Sequence, residues 1–420
     1  MAENRPRVVI AGAGFGGLEA AKALSRASVD VTILDRQNHH CFQPLLYQVA
    51  TAALSPAEVA WPIRHILRGQ RNATVLMAEV KGVDVAGRRV LTDAGPFAYD
   101  YLVLATGATH SYFGHYDWAK YAPGLKYIED ALRIRRAMLI AFEKAELAND
   151  DAERRRLLAF VIVGGGATGV EMAGAIAEIA RLTLARDFRR IDPSTARIIL
   201  IEAGPRILPA LPEDLSSYAR HALERMGVEV MTATRVTQCD ARGVDLEQGR
   251  IDADTIIWAA GVVASPAATW LGAAHDRAGR VTVGPDLSVP GQPEIFVIGD
   301  TAAVQDKSGR AIPGIAPAAK QMGRYVGKLV AARVAGKALP PFRYRHMGDL
   351  ATIGRRAAIV NLHGLRLKGF VGWLFWGVAH IYFLIGLKNR FIVAFTWLWD
   401  YVTFHRGARL ITAVPPVERR

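Results

Sequence analysis

The chain has 420 residues, 51% hydrophobic and 22% charged, which is room for two or three globular domains at about 100–200 residues each. Its formal charge is +13, yet residues 341–420 hold 12 Lys/Arg against 3 Asp/Glu, so this last fifth carries +9 of the excess. Basic charge gathered around an apolar, Trp-rich tail points to the anionic face of a membrane and away from nucleic acid, for which no helix-turn-helix or RNA-reading signature is present.

Two cysteines, Cys41 and Cys239, lie far apart in sequence, which argues against a disulfide framework and against a CxxC metal or redox site; no metal is expected. MAENRPRVVI leads straight into a strand without a secretory signal, so a cytosolic, reducing setting is expected.

Val8 to Ala11 read as a buried strand, Gly12-Ala13-Gly14-Phe15-Gly16-Gly17 as a G-x-G-x-x-G loop, and Leu18 to Leu24 as a helix. In such a loop Gly12 allows the tight turn, Gly14 lets the backbone approach a diphosphate, and Gly17 lets helix and strand pack closely. The diphosphate then sits at the positive end of the helix. A second strand ends at Asp35, 23 residues after Gly12, where a carboxylate can accept hydrogen bonds from a ribose; Arg36 follows it. HHCFQPLLYQVATAALSP, His39 to Pro56, comes next and includes Pro44 and Leu45. Val80 and then YLVLATGA, which holds Ala105, Thr106 and Gly107, close the first half. Asp130 to Leu158 read as a charged, largely exposed helical link, its charges a solvated face.

The strand–loop–helix pattern then repeats. Ala159 to Val163 precede Gly164-Gly165-Gly166-Ala167-Thr168-Gly169, and Val170 to Ala180 continue as a helix. Gly164, Gly166 and Gly169 are the fingerprint glycines and Thr168 lies among them. RIILIE ends at Glu202, an acidic residue that favours a free ribose 2′-hydroxyl and repels a 2′-phosphate; the first arginine beyond it, Arg206, is four residues on. The two loops begin 152 residues apart. Two complete fingerprints imply two nucleotides and a transfer between them, most simply from a nicotinamide to a flavin. DTIIWAAGV, with Gly261, reads as a return strand; EIFVIGD follows, a strand ending at Gly299-Asp300; IPGIAPAAKQMG, Ile312 to Gly323, comes after it.

In the tail, Gly369 to Leu387 holds no Asp, Glu, Lys or Arg in 19 residues, close to the ~20 that span a bilayer. Its six aromatics, the mid-segment His380 and the shortness of FIVAFTWLW after Lys388-Asn389-Arg390 argue against spanning. Helical numbering puts Trp373, Trp376, His380 and Phe383 on one side. Two amphipathic, basic-flanked helices lying in the interface fit better. No set of apolar spans with intramembrane carboxylates offers an ion pathway.

These motifs resemble the two-dinucleotide-binding-domain flavoproteins, from about Arg7 to Gly327. That resemblance implies an α/β fold of two Rossmann-like domains, FAD in the first and NADH in the second. The FAD domain would take 1–125 and 285–340, the inserted NADH domain 126–284, and a membrane-associated C-terminal region 341–420. FQPLLYQVA, the APAAKQ segment and the tail together look like type II NADH:quinone oxidoreductase, a monotopic, non-pumping family. The likeness implies hydride transfer from NADH to tightly bound FAD and two-electron reduction of a membrane quinone at the cytoplasmic face, with a homodimer possible. Where the family writes A-Q-x-A-x-Q, this chain has Ala316-Pro317-Ala318-Ala319-Lys320-Gln321, so Pro317 removes one side-chain amide from the implied quinone site.

Gln321 is expected to hydrogen-bond a quinone carbonyl, and Glu171 is the family's buried acid near the flavin ring, the alternative being a salt-bridged helix residue. Lys320 offers positive charge to a reduced flavin or quinol anion, or else is simply solvated. His40 and His380 fit packed structural histidines first and site residues second. The readings held against these are a sulfide:quinone oxidoreductase, whose flavin-side cysteines Cys41 and Cys239 do not match, a soluble diaphorase with an apolar dimer contact, and a non-catalytic redox sensor.

Overall fold

Arg7–Ala11, RVVIA, has no polar side chain after its first residue, and it runs through the middle of a six-stranded sheet. A computed structural model describes residues 5–362, 364–403 and 407–411; the tail residues 404–406 and 412–420 included in the sequence reading lie outside them. The sheet order is Ser288–Val289, Gln292–Val297, Tyr101–Leu104, Arg7–Ala11, Asp30–Asp35, Ala73–Met77. All neighbours run parallel except the first pair. Parallel strands are covered on both faces and so read as continuous apolar runs. Val8, Ile10, Ala11, Ile33 and Leu34 accordingly have no exposed surface. The late strand returns as expected, with Ile295 opposite Leu102 and Val297 opposite Leu104.

This sheet belongs to the first of two compact units, Met1–His40, Trp61–Thr109 and Val262–Met347. Helices Phe15–Ala23 and Ala316–Val334 pack backbone to backbone in it. A Cβ on Gly323 would stand 1.9 Å from the Gly16 carbonyl oxygen, and one on Gly327 would stand 2.6 Å from that of Ala20, so only glycine permits this approach.

The second unit takes Cys41–Ala60, His110–Gly261 and Gly348–Arg420. Its parallel sheet is ordered Val228–Met231, Arg197–Ile201, Ala159–Val163, Thr255–Trp258. A three-stranded antiparallel sheet, Asp349–Gly354, Ala357–Leu362 and Leu365–Lys368, follows later in the chain. It seats on helix Ala167–Glu178 at Gly174, where a Cβ would lie 1.6 Å from the Ile353 carbonyl oxygen.

One reading of the sequence is corrected. The charged link is a 20-residue helix, Ile128–Leu147, with a fully buried side. Ala131, Ile134, Met138 and Phe142 recur at spacings of three and four and carry no exposure, and the Phe142 ring stacks on Phe160 of the sheet at 5.2 Å. Most of the charges occupy the other side, and Arg135 alone among them is buried with the apolar residues. In the tail, the short apolar stretch is the middle of a longer helix, Leu387–Thr403, which draws in Lys388, Arg390 and Asp400; the first helix is Gly369–Phe383. Among the described residues no helix is long and apolar enough to cross a membrane.

Candidate functional site

The first glycine loop is built on one backbone requirement. Gly12 has φ +98°, and a Cβ there would meet the Ala105 carbonyl oxygen at 2.4 Å, so the YLVLATGA segment forms the back of the loop. Gly17 closes on the Gly12 carbonyl, 1.8 Å from where its Cβ would be. A Cβ on Gly14 would meet nothing within 4 Å, which leaves open the face a diphosphate needs. Asp35 accepts from the Ala13 N–H at 2.6 Å and the Gln37 N–H at 2.8 Å, and burial pushes its carboxyl up from the ordinary range. Gly16 touches Ile298; Gly299 donates its N–H to the Met322 sulfur at 3.2 Å; Thr301 hydroxyl donates to the Gly107 carbonyl at 3.1 Å. Thr106 and Ser265 hydroxyls are 2.5 Å apart, and Asp300 lies against Gly314. These residues fit a dinucleotide whose diphosphate lies over Gly14. Val80 instead packs against the core beside the sheet. Arg36 follows directly on the Asp30–Asp35 strand.

The second loop repeats these distances within its own unit. Gly164 has φ +112° and backs onto Ala259 at 2.6 Å; a Cβ on Gly169 would fall 1.8 Å from the Gly164 carbonyl; Gly166 is open in front. Thr168 lies in the first turn of helix Ala167–Glu178, and Gly261, at φ +77°, lies against the Phe113 ring. Glu202 accepts from the N–H groups of Gly165 and Gly204, both at 2.6 Å. Arg206 bends back on its own loop, donating to the carbonyls of Leu211 at 2.7 Å and Pro209 at 2.9 Å. Its guanidinium is thus spent on backbone, and Glu202 sets the charge at this strand end.

A third element is a cleft in the second unit. Glu171 lines it together with Thr352 of the C-terminal sheet, Gln48 and Thr51 of the His39–Pro56 segment, and Trp376 and Trp397 of the tail helices. Burial pushes the Glu171 carboxyl up to about 8, eased by a 3.5 Å contact from the Thr352 N–H. No cation pairs with it among the described residues, so the salt-bridged alternative does not hold. Gln48 is clamped at both ends of its amide. Its oxygen accepts from the Trp397 indole N–H at 2.7 Å and its nitrogen donates to the Tyr47 hydroxyl at 2.9 Å.

Sequence reasoning missed Thr352, Gln48, Trp376 and Trp397. Gln48 lay inside a motif already singled out; the other three come together only by folding. His380, read as a packed structural histidine first and a quinone residue second, donates from Nδ1 to its own helix at the Trp376 carbonyl, 2.8 Å away, packs on that indole with the ring centres 4.3 Å apart and the planes tilted by 30°, and is pushed down to about 4 by burial. Pro44 and Leu45 form a 3-10 turn, and Leu45 is fully buried.

Ala316 and Pro317 open helix Ala316–Val334. A proline in a first turn is tolerated because the missing N–H would have had no helical partner, which explains how the chain accepts Pro317. Ala318 is buried, and Lys320 holds its ammonium 5.2 Å from the centre of the Phe15 ring. Gln321 spends its amide on one residue, donating to the Arg345 carbonyl at 2.9 Å and accepting from the Arg345 N–H at 3.0 Å. A quinone contact by this side chain would have to replace that pairing. Burial pushes the thiols of Cys41 and Cys239 up to about 12, the opposite of what a thiolate-based reaction needs.

Residues 6–323 match the family model of pyridine nucleotide-disulphide oxidoreductases, the class that the fold and paired loops define, and residues 346–404 match the NDH2 C-terminal domain. Over 97% of its length the chain is 43% identical to the type II NADH:quinone oxidoreductase Ndh of Mycobacterium tuberculosis, of which it covers 91%; NdhA of the same organism is 44% identical over 98% of the chain and 90% of that protein. The chain belongs to the type II NADH:quinone oxidoreductase family. Among solved structures, NDH2 from Plasmodium falciparum in complex with NADH superposes with a TM-score of 0.89 at 22% identity, over 98% of this chain and 100% of that one. The sulfide:quinone oxidoreductase of Aquifex aeolicus reaches 0.73 at 16% identity over 92% and 91%. At such identities the likeness speaks for the fold alone.

Proposed function

We propose that this protein oxidises NADH through tightly bound FAD and reduces a membrane quinone by two electrons without moving ions across the bilayer. The family membership supports the activity. The observation that carries the quinone assignment is the Glu171 cleft, whose walls include the two tail helices. When bound, FAD supplies the two-electron chemistry that links the two substrates.

The chain's own residues bind, orient and handle protons. Gly12, Gly14, Gly17 and Asp35 hold FAD, with Gly16, Ala105, Thr106, Gly107, Gly299 and Asp300 around them. Gly164, Gly166, Gly169 and Glu202 hold NADH, with preference over NADPH. Residues 1–125 and 285–340 are assigned to FAD, 126–284 to NADH, and 341–420 to the membrane and quinone. Quinone reduction consumes two protons, and a carboxyl with a pKa of about 8 is protonated at neutral pH and available to donate one.

The tail supports attachment to the cytoplasmic face of the membrane. Val371, Leu374, Val378 and Tyr382 form an exposed stripe on the first helix; Phe391, Phe395, Leu398 and Val402 form one on the second. Each spacing marks one helical face, open to lipid and flanked by Lys368, Lys388 and Arg390.

Anaerobic stopped-flow tests the whole reading. NADH should bleach the flavin absorbance and a quinone should restore it. Bleaching without recovery would discard the quinone, and no bleaching would discard NADH.

A further inference from the structure

Phe113 is 67% exposed, and its backbone lies at φ +51°, a left-handed conformation that bulky side chains rarely adopt. Its neighbours hold it there. Ser111 donates its N–H to the Gly261 carbonyl at 3.3 Å, and its own carbonyl accepts the Trp258 indole N–H at 2.8 Å. The buried Tyr112 ring stacks on Trp258 at 5.1 Å, and its hydroxyl donates to the Ala122 carbonyl at 2.8 Å. Phe113 itself meets Trp258 edge-on, with ring centres 6.3 Å apart, and its ring tip lies 2.6 Å from where a Cβ on the exposed Gly261 would stand. A strained backbone that holds an apolar ring out in water is the kind of feature kept at ligand clamps.

The place of this ring on the sheet says what it could hold. From Val228–Met231 to Thr255–Trp258 the strands stand in the order third, second, first, fourth along the chain, all parallel. The second strand leads to Glu202, the acid assigned to the adenosine ribose, and the first leads to the glycine loop assigned to the diphosphate. A dinucleotide laid across these strand ends carries its other nucleoside toward the fourth strand. Ala259, which backs Gly164, and Gly261, which carries the Phe113 ring, follow directly on that strand. We propose that the exposed face of Phe113 packs against the nicotinamide nucleoside of NADH. The proposal rests on the assignment of NADH to the second loop. A flat apolar ring gains from a planar heterocycle and offers nothing to a diphosphate.

The test uses the FAD-loaded full chain. Asn takes the left-handed conformation more readily than Phe, so Phe113→Asn removes the ring while the loop keeps its path. The NADH concentration that half-saturates anaerobic flavin reduction should rise about tenfold, the usual scale for a lost aromatic stack on a base. The inhibition constant of ADP, which lacks the nicotinamide nucleoside, should stay at its wild-type value. Phe113→Tyr keeps the ring and should return NADH affinity close to wild type. Phe113→Leu stays apolar but loses the flat face, and should weaken NADH in the same direction as Asn. Unchanged half-saturation in both the Asn and Leu variants, or an equal loss of NADH and ADP, would reduce Phe113 to a loop-shaping residue and overturn the proposal. Failure of ADP to compete with NADH in the wild type would instead refute the loop assignment, and the proposal with it.

Discussion

The Glu202 carboxylate accepts the backbone N–H of Gly165 at 2.6 Å, the same distance at which Asp35 accepts that of Ala13 in the other glycine loop. Each acid therefore fixes its loop before any nucleotide arrives, and each keeps lone pairs for a ribose. In Glu202→Ser the repulsion of a 2′-phosphate is lost, and the ratio of kcat/KM for NADH over NADPH should fall about tenfold, or ~1.4 kcal/mol. Steady-state rates with both nucleotides give the ratio; an unchanged value would mean that other groups choose the nucleotide.

Gly169→Ala adds a methyl group where only 1.8 Å is available. The loop must open, and KM for NADH should rise by about tenfold or more while FAD stays bound, because the first loop is untouched. Flavin content and NADH titration of the purified variant check both halves. Loss of FAD along with NADH would contradict the division of labour between the loops.

Glu171 has a folded-state pKa of about 8, raised by burial from an ordinary 4.5. A raised pKa means that the folded protein holds the proton more tightly. The neutral carboxyl thus contributes stability that is complete below pH 4.5 and is lost as pH rises through about 8. Glu171→Gln stays neutral throughout, so its melting temperature should gain on the wild type between these values. Flavin reoxidation by quinone should slow above pH 8 in the wild type and lose that dependence in the variant. Parallel melting curves would show the carboxyl to be ionised in the folded state.

Trp397→Phe removes the donor to Gln48 and leaves a buried amide oxygen unpaired, at a cost of about 1–3 kcal/mol. The second tail helix is otherwise tied down by Asn389, which donates to the carbonyls of Ala57 and Glu58, and by Thr396 to Glu58. The variant should lose the tail to limited proteolysis sooner than the wild type. Equal cleavage rates would mean that the Trp397–Gln48 bond does not hold the helix in place.

Phe391→Asp with Phe395→Asp puts two charges on the exposed stripe of that helix without touching its buried side. Co-sedimentation with anionic vesicles should drop about tenfold, and residual binding should weaken with salt. Undiminished sedimentation would move the membrane contact elsewhere.

The glycine loops were legible from the sequence because their chemistry is local: a turn, a close approach and a helix start all lie within six residues. Asp35 and Glu202 were legible for the same reason, each ending a strand. The Ile128–Leu147 helix was misread although Ala131, Ile134, Met138 and Phe142 spell out its inner face, because the charges between them dominate a one-dimensional view. Gln321 shows a different limit. Its motif position suggested a quinone partner, but its amide is committed to Arg345, and a pairing across 24 residues leaves no periodic trace. Glu171 was read as a site acid, yet its missing counter-ion and its neighbour Thr352 emerge only from the packing of the C-terminal sheet.

Trp376 and Trp397 line the Glu171 cleft, while Val378 and Leu398, two residues and one residue further along the same helices, face outward. With the proposed membrane contact, lipid and the Glu171 cleft would be separated by the thickness of a single helix. A shift of either helix on leaving the bilayer would be felt at Glu171 at once, which makes the surrounding amphiphile a component of the enzyme: rates measured in different detergents should be compared as if they came from different variants.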